Sequence, residues 1–424
     1  MNFHISNALD VSGRITDLYI ESGEIVASPT KGVALQKIDA SGLTVVPGFV
    51  DLHTHLREPG REDAETVLSG SRAASAGGFT AISAMPNTLP VADTAGVVEQ
   101  VFRLGESHNL CDVFPIGAVT LGQDGKHLAE LGAMNQSEAK VRIFSDDGHC
   151  VADALVMRRA LEYVKTFDGI IAQHAQDPRL TENAQMNEGE VSAKLGLKGW
   201  PAVAEEAIIA RDVLLAEHVD SRLHICHLTT AGGVEIIRSA KKRGIKVTAE
   251  VTPHHLLLTD DVVNSYDPVY KVNPPLRTEK DVQALREGLA DGTIDIIATD
   301  HAPHPQEAKD CEWNAAAFGM LGLETAFSIA YMTMVKSGLM TLEALVSSMS
   351  VKPAQIGRYL NHGSIAPGMK ANVALIDLKS EWTVDRAALH SKSRNTPFHQ
   401  MVLPGLVMKT FHNGALVFDR KAHV

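Results

Sequence analysis

The strongest constraint on the fold is an alternation that fills the middle of the chain. Eight apolar, β-prone runs end in "GFVDLHTH", "FTAISAMPNT", "CDVFPIGAVT", "AKVRIFSDDG", "DGIIAQHAQD", "SRLHICHLTT", "IKVTAEVTPHH" and "IDIIATDHAPH". Between several of them lie stretches such as "AVAEEAIIARDVLLAEHV" and "GGVEIIRSAKKRG", with apolar residues at three-to-four spacing and charges in between, as amphipathic helices require. Eight β-then-α units predict a closed (β/α)8 TIM barrel, a fold of about 250 residues before insertions. An open doubly wound sheet is the alternative. It normally carries a glycine-rich phosphate turn after its first strand, and none stands here.

The ends have a different texture. "FHISNALDVSG", "RITDLYIESGEIVASP" and "GVALQKIDASG" read as short strands with turn residues at hairpin spacing, and "GSIAPGMKANVALIDLKSEWTVD" and "GLVMKTFHNGALVFDRKAHV" return to the pattern. Both termini are therefore expected to build one small β-sandwich domain, residues 1–47 with 358–424, around a barrel over 48–357.

Composition narrows the class. The chain has 424 residues, 45% of them hydrophobic, as a globular protein requires. A net charge of −12 gives no footprint for nucleic acid or an acidic membrane. No apolar run is long enough to span a bilayer, and the N-terminus shows no secretory signal. Cys111, Cys150, Cys226 and Cys311 lie far apart with no CxxC pair, which argues against disulfides and thiolate zinc and suits a reducing cytoplasm.

In a barrel all eight strand ends meet at one rim, where active sites are built. That rim would gather His53, His55, Asn87, Asp146, Asp147, His174, His227, His254, His255 and Asp300. His53 and His55 are two apart on a strand, so alternation points both the same way, about 7 Å apart along the backbone. An isolated HxH is as readily a pair of packed core histidines. "IIAQHAQD" and "HICHLTT" add one imidazole each at the same rim, and "IIATDHAPH" adds a carboxylate. Such convergence is costly as mere packing, because buried polar groups without partners are unfavourable. Nitrogen and carboxylate donors without thiolates suit zinc, with manganese or cobalt as substitutes. Four histidines and two carboxylates exceed one tetrahedral shell and point to a binuclear site.

"PGFVDLHTHLREPG", "AMPNT", "FSDDG", "AEVTPHHLLLT", "YKVNPPLR" and "IATDHAPH", in this order, resemble the amidohydrolase superfamily and, within it, bacterial class I dihydroorotases. The likeness runs from about residue 45 to residue 330. It implies one zinc on His53, His55 and Asp300 and a second on His174 and His227, bridged by an aspartate of "FSDDG" and by hydroxide. Family spacing favours Asp147. Asp146 is the alternative, since strand alternation does not decide where a strand ends. Lys140 reads as a solvated strand-start lysine rather than the carboxylated lysine of other relatives.

The resemblance also implies reversible cyclisation of N-carbamoyl-L-aspartate to L-dihydroorotate in pyrimidine (UMP) biosynthesis, with Asp300 moving the proton. It implies substrate contacts from Arg57, Asn87, Asn273, His304, Phe318 and Gly319. A homo-oligomer, a dimer, is expected, and aspartate transcarbamoylase is a candidate partner. The rival readings are a hydantoinase or allantoinase, against which "FSDDG" argues, and a non-catalytic partner of the transcarbamoylase, which would lack metal ligands. His254 and His255 suit a helix-start or packing role, and Cys226 a buried strand position. His224 should face the helical layer, opposite His227, while His149 and His301 stand out only by neighbourhood.

Overall fold

The structure is a computed structural model and describes residues 2–422. Five short strands come first: β1 (Phe3–Leu9), β2 (Ile15–Glu21), β3 (Glu24–Val26), β4 (Gln36–Asp39) and β5 (Thr44–Pro47). The barrel strands follow as β6 (Phe49–Thr54), β7 (Phe79–Ala84), β8 (Asp112–Pro115), β9 (Ile143–Phe144) and β10 (Ile170–Gln173). A two-stranded ribbon of β11 (Met186–Asn187) and β12 (Gly199–Trp200) interrupts them before β13 (Leu223–Ile225), β14 (Val247–Val251) and β15 (Ile296–Ile297). The chain ends in β16 (Val373–Thr383), β17 (Val402–His412) and β18 (Ala415–Asp419).

The eight barrel strands pair in parallel and in chain order. Single parallel bridges from Gly117 to Phe144 and from Thr54 to His301 close the ring. All eight expected strands are present, and the two quoted amphipathic stretches form the helices Val203–Val219 and Ala231–Lys242. Val50, Leu52, Ala81, Ile116, Ile143, Ile170, Ala172, Ile296 and Ala298 share one apolar cluster that plugs the barrel. A larger cluster, with Phe49, Ile82, Phe144, Ile171, Ile209, Val213 and Ile237, joins strands to helices. No helix of the described residues is long and apolar enough to cross a membrane.

Where a two-sheet sandwich was expected from the termini, strands from both ends, eight in all, form a single connected sheet. The order is β18-β17-β16-β5-β1-β2-β3, with β4 also on β1. Alternation along β16 gives this sheet two apolar faces. Val373 and Leu375 pack with Phe3, Ile5, Ile20 and Phe411, while Ala374 and Ile376 turn to the barrel's main core. Residues 384–401, between β16 and β17, leave the sheet. Val384 and Phe398 pack with Leu258, Val272 and Met320, and Asn395 Nδ2 donates to the carbonyls of Ala302 and Gly319. By contact this excursion belongs to the barrel rim.

Of two alternation-based expectations, one holds and one fails. His53 and His55 point the same way and both reach the centre, as expected, while Val50 and Leu52 also lie in the barrel plug, because the β6–β7 register is irregular between Asp51 and Thr54. His224 was expected on the helical layer. It lies inside instead, with Nδ1 2.7 Å from Thr248 Oγ1 and Nε2 3.0 Å from Glu250 Oε2. Regular pairing of β13 stops at Ile225, and His227 has φ +30°, so the side of one histidine says nothing about the other.

Candidate metal centre

Asp147 follows β9 in a turn held by Ser145 Oγ, which accepts its backbone N–H at 3.0 Å. Its carboxylate sits among four imidazoles. Oδ2 is 3.4 Å from His53 Nε2 and 3.2 Å from His55 Nε2. Oδ1 is 3.2 Å from His174 Nδ1 and 3.1 Å from His227 Nε2. Asp300 closes the first pair, its Oδ1 3.1 Å from His55 Nε2 and 3.5 Å from His53 Nε2. Asp146 turns away and accepts the backbone N–H groups of Val119 and Thr120 at 2.8 and 3.0 Å. Of the two aspartates, only Asp147 faces the imidazoles. Lys140 is exposed, with its amine on the Gln136 carbonyl.

The far nitrogens of three of these rings meet oxygen acceptors. His53 Nδ1 is 2.6 Å from Glu250 Oε1, His55 Nδ1 2.9 Å from Asn87 Oδ1, and His174 Nε2 2.7 Å from Gln176 Oε1. A neutral imidazole that donates outward turns a bare lone pair inward. His53 Nε2 is indeed buried without a hydrogen-bond partner, and His174 Nδ1 lies only 2.8 Å from His227 Nε2. Lone pairs and carboxylate oxygens facing one another repel unless a cation lies between them. Ligand atoms around a tetrahedral zinc stand about 3.3 Å apart, given bonds of about 2.0–2.1 Å. The observed spacings bracket that figure, so the residues fit divalent metal. Two overlapping trios, His53–His55–Asp147 and Asp147–His174–His227, each bring their ligand atoms within 4.8 Å of one another.

Electrostatics agree with a cation site. Burial presses His53 down, but Asp147, Glu250 and Asp300 outweigh it and hold its pKa well above the ordinary value. Burial likewise works against ionised Asp147 and Asp300, yet the surrounding imidazoles hold both low, Asp300 at about 2. Both carboxylates are therefore charged near neutrality.

Around this centre stand the other expected residues. Arg57 is buried in a left-handed conformation (φ +64°), with Nε donating to the Pro303 carbonyl at 3.2 Å, and it forms no ion pair among the described residues. Burial lowers its pKa to about 10, which leaves it cationic. Asn87 has its Oδ1 committed to His55. Asn273 Nδ2 is 3.3 Å from Gln176 Oε1, while its Oδ1 is buried without a partner. His304 Nε2 lies 2.7 Å from the Phe318 carbonyl, and its Nδ1 also lacks a partner. The Phe318 ring lies under Lys271 Nζ at 4.5 Å. Gly319 has φ +145°, and a Cβ there would fall 2.8 Å from His304 Nε2, so the close approach requires glycine.

The remaining histidines lie outside the cluster. His255 is held by Thr252 Oγ1 and the Pro274 carbonyl, and burial keeps neighbouring His254 neutral, its pKa pushed down to about 4. His301 Nε2 is 3.3 Å from Glu65 Oε2. Of His149, only the backbone N–H meets Asp146, through its carbonyl. Cys226 is buried, and all four cysteines are free. Sequence reasoning missed Glu250 and Gln176. A lone acid inside the apolar run "KVTAEVTP" was the available signal for the first.

Comparison with known proteins adds an independent line. A family model described as dihydro-orotase-like matches residues 42–232. A dihydroorotase from Streptomyces coelicolor is 62% identical over 421 residues, covering 98% of each chain. One from Mycobacterium tuberculosis is 51% identical over 406 residues, 95% of this chain and 94% of the other. Among solved structures, an L-hydantoinase (dihydropyrimidinase) from Arthrobacter aurescens matches with a TM-score of 0.87 at 26% identity, covering 99% of this chain and 96% of that one. A dihydropyrimidinase from Brevibacillus agri, at 22% identity and TM-score 0.84, shares the barrel fold.

Proposed function

Because the chain belongs to the dihydroorotase family, we propose that it is a metal-dependent cyclic amide hydrolase that interconverts N-carbamoyl-L-aspartate and L-dihydroorotate in pyrimidine biosynthesis. The observation that carries this reading is the Asp147 carboxylate, shared between two histidine pairs with Asp300 beside one of them.

His53, His55 and Asp300 would hold one zinc, His174 and His227 a second, with Asp147 common to both; a donor set of nitrogen and oxygen supports zinc. When bound, such a pair polarises the amide carbonyl and acidifies water. The chain's own residues do the rest. In ring opening Asp300 takes a proton from the attacking water and delivers it to the ring nitrogen as the C–N bond breaks. Ring closure reverses this, with Asp300 taking the proton of the carbamoyl nitrogen and water departing from the side-chain carboxyl. Arg57, with no carboxylate of its own, supplies a planar donor for the substrate α-carboxylate. Asn87 adds its free amide nitrogen. Asn273 Oδ1 and His304 Nδ1, both buried and unpartnered, offer hydrogen bonds that a substrate would complete. The main chain at Phe318 and Gly319 borders the same place.

Residues 48–357 are the catalytic unit in this reading, with the two ends as a small β domain. Free cysteines support a cytoplasmic location. A homodimer and association with aspartate transcarbamoylase complete the proposal; sedimentation of the protein alone and with the transcarbamoylase tests both.

The deciding experiment is a metal-loaded assay of dihydroorotate, hydantoin and allantoin, with metal counted per chain. Dihydroorotate should be opened fastest, with two zinc ions bound. Faster turnover of hydantoin or allantoin, or none of dihydroorotate at full loading, overturns the reading.

A further inference from the structure

We infer that Glu250, supported by His224, is a positioning residue that ties the two metal pockets together and sets how tightly both hold their cations. The inference rests on reading the centre as a metal site.

Glu250 lies on β14 and is 1% exposed. It has no lysine or arginine partner among the described residues, and its oxygens face the His53 and His224 rings and a backbone N–H. One oxygen does double duty. Oε1 is 2.6 Å from His53 Nδ1 and also accepts the backbone N–H of His227 at 3.1 Å. His53 belongs to the first trio and His227 to the second. Oε2 is 3.0 Å from His224 Nε2, and His224 Nδ1 is 2.7 Å from Thr248 Oγ1. A continuous chain of hydrogen bonds thus runs from Thr248, which borders a pocket of about 500 Å³ at the strand starts, up the barrel interior to the metal centre.

Each link has a physical consequence. A carboxylate accepting from Nδ1 keeps that nitrogen protonated, turns the Nε2 lone pair of His53 to the centre and makes the ring a stronger donor. The backbone of His227 has φ +30°, uncommon for any residue but glycine, and the Glu250 oxygen accepts its N–H there. His53, Cys226 and Glu250 also have their polar atoms within 4.8 Å of one another, which raises a third cation site as an alternative. The 2.6 Å between His53 Nδ1 and Glu250 Oε1 is too short for two ligands of one tetrahedral metal, about 3.3 Å apart. A proton fills that gap. The other outer acceptors each serve one ring only: Asn87 serves His55, and Gln176 serves His174.

This asymmetry makes the inference testable. Zinc is titrated into the apo protein against a chromophoric chelator to obtain two stepwise affinities. Glu250→Ala and Glu250→Gln should weaken both, by about 10- to 100-fold, with the glutamine variant the milder because it keeps an acceptor and loses only the charge. Gln176→Ala should weaken one. Proton–nitrogen correlation of the histidine rings should show a strongly downfield His53 Nδ1 proton in the wild type and in Glu250→Gln, absent from Glu250→Ala. If Glu250→Ala fails to fold by circular dichroism, Glu250→Gln carries the test. Two affinities within about twofold of wild type in a folded Glu250 variant, or a change in only one, overturn the inference. Failure of the enzymatic reading looks different: wild type that binds zinc tightly and loses it in Glu250 variants, yet opens no dihydroorotate, refutes the activity and upholds Glu250. Wild type that binds no zinc overturns both.

Discussion

In the terminal sheet, Phe3, Ile5, Ile20, Val373 and Phe411 pack into one buried apolar cluster. At the barrel rim, His53, Asp147, His174, His227 and Asp300 are just as buried, yet their polar atoms face one another, and His53 Nε2 and His227 Nδ1 have no hydrogen-bond partner. Both regions join residues hundreds of positions apart. The first lowers the free energy of the fold through burial alone, at roughly 25 cal/mol per Å² of apolar surface. The second raises it unless a ligand arrives. The backbone shows the same contrast, since Arg57, His227 and Asp300 at the rim all have positive φ. A frame stabilised elsewhere holds a site that would not be stable alone.

The comparison can be broken at either end. Asp147→Ala removes the carboxylate common to both trios and should lower turnover by more than about 10,000-fold, beyond the loss of a single proton-transfer group, with zinc per chain falling in parallel; metal counting and a ring-opening assay check both. Asp300→Asn keeps an oxygen facing His55 but removes the proton acceptor, and kcat should fall about 100- to 10,000-fold; near-normal kcat would remove Asp300 from its role. Phe411→Ala empties the sheet core and should cost about 3–5 kcal/mol in denaturant unfolding while leaving zinc affinity unchanged; a parallel loss of metal would mean the regions are not independent. Arg57→Lys keeps the charge and loses the planar fork, so KM for dihydroorotate should rise about 10- to 100-fold, the value of one charge-assisted hydrogen bond.

The smallest expected effect lies at the strand starts. There Asp112 accepts from His362 Nε2 at 2.8 Å and His412 Nε2 at 3.1 Å and joins barrel to sheet. Burial raises its pKa, but the two imidazoles outweigh burial and hold it well below its ordinary 3.8. A carboxyl depressed on folding adds stability that is complete above its unfolded pKa and is lost as pH falls through and below it. Between about pH 5 and about pH 2, the urea midpoint of the wild type should therefore drop more than that of Asp112→Asn. Equal drops would show that the latch contributes nothing.

Much of this was legible beforehand. The eight strands, the shared origin of the small sheet and the HxH pair all rest on periodicity, which is local. Glu250, the inward side of His224, the commitment of Asn87 to His55 and the rim excursion of residues 384–401 were not. Each depends on which strand ends become neighbours, and residues 53 and 250 have no relation along the chain until the barrel closes. Alternation also loses authority where the ladder stops, and the catalytic candidates sit at those stops. Asp146 and Asp147 illustrate the limit. They are adjacent and chemically identical, and family spacing rather than residue physics favoured the second.

By itself the sequence determined the order of strands and helices, the plug of the barrel and the kinds of donor available, because hydrophobic period and side-chain chemistry travel with each residue. Only the tertiary structure decided which oxygen faces which nitrogen. Those choices are made where strands end, by positive-φ residues and by contacts between segments that meet only when the cylinder shuts.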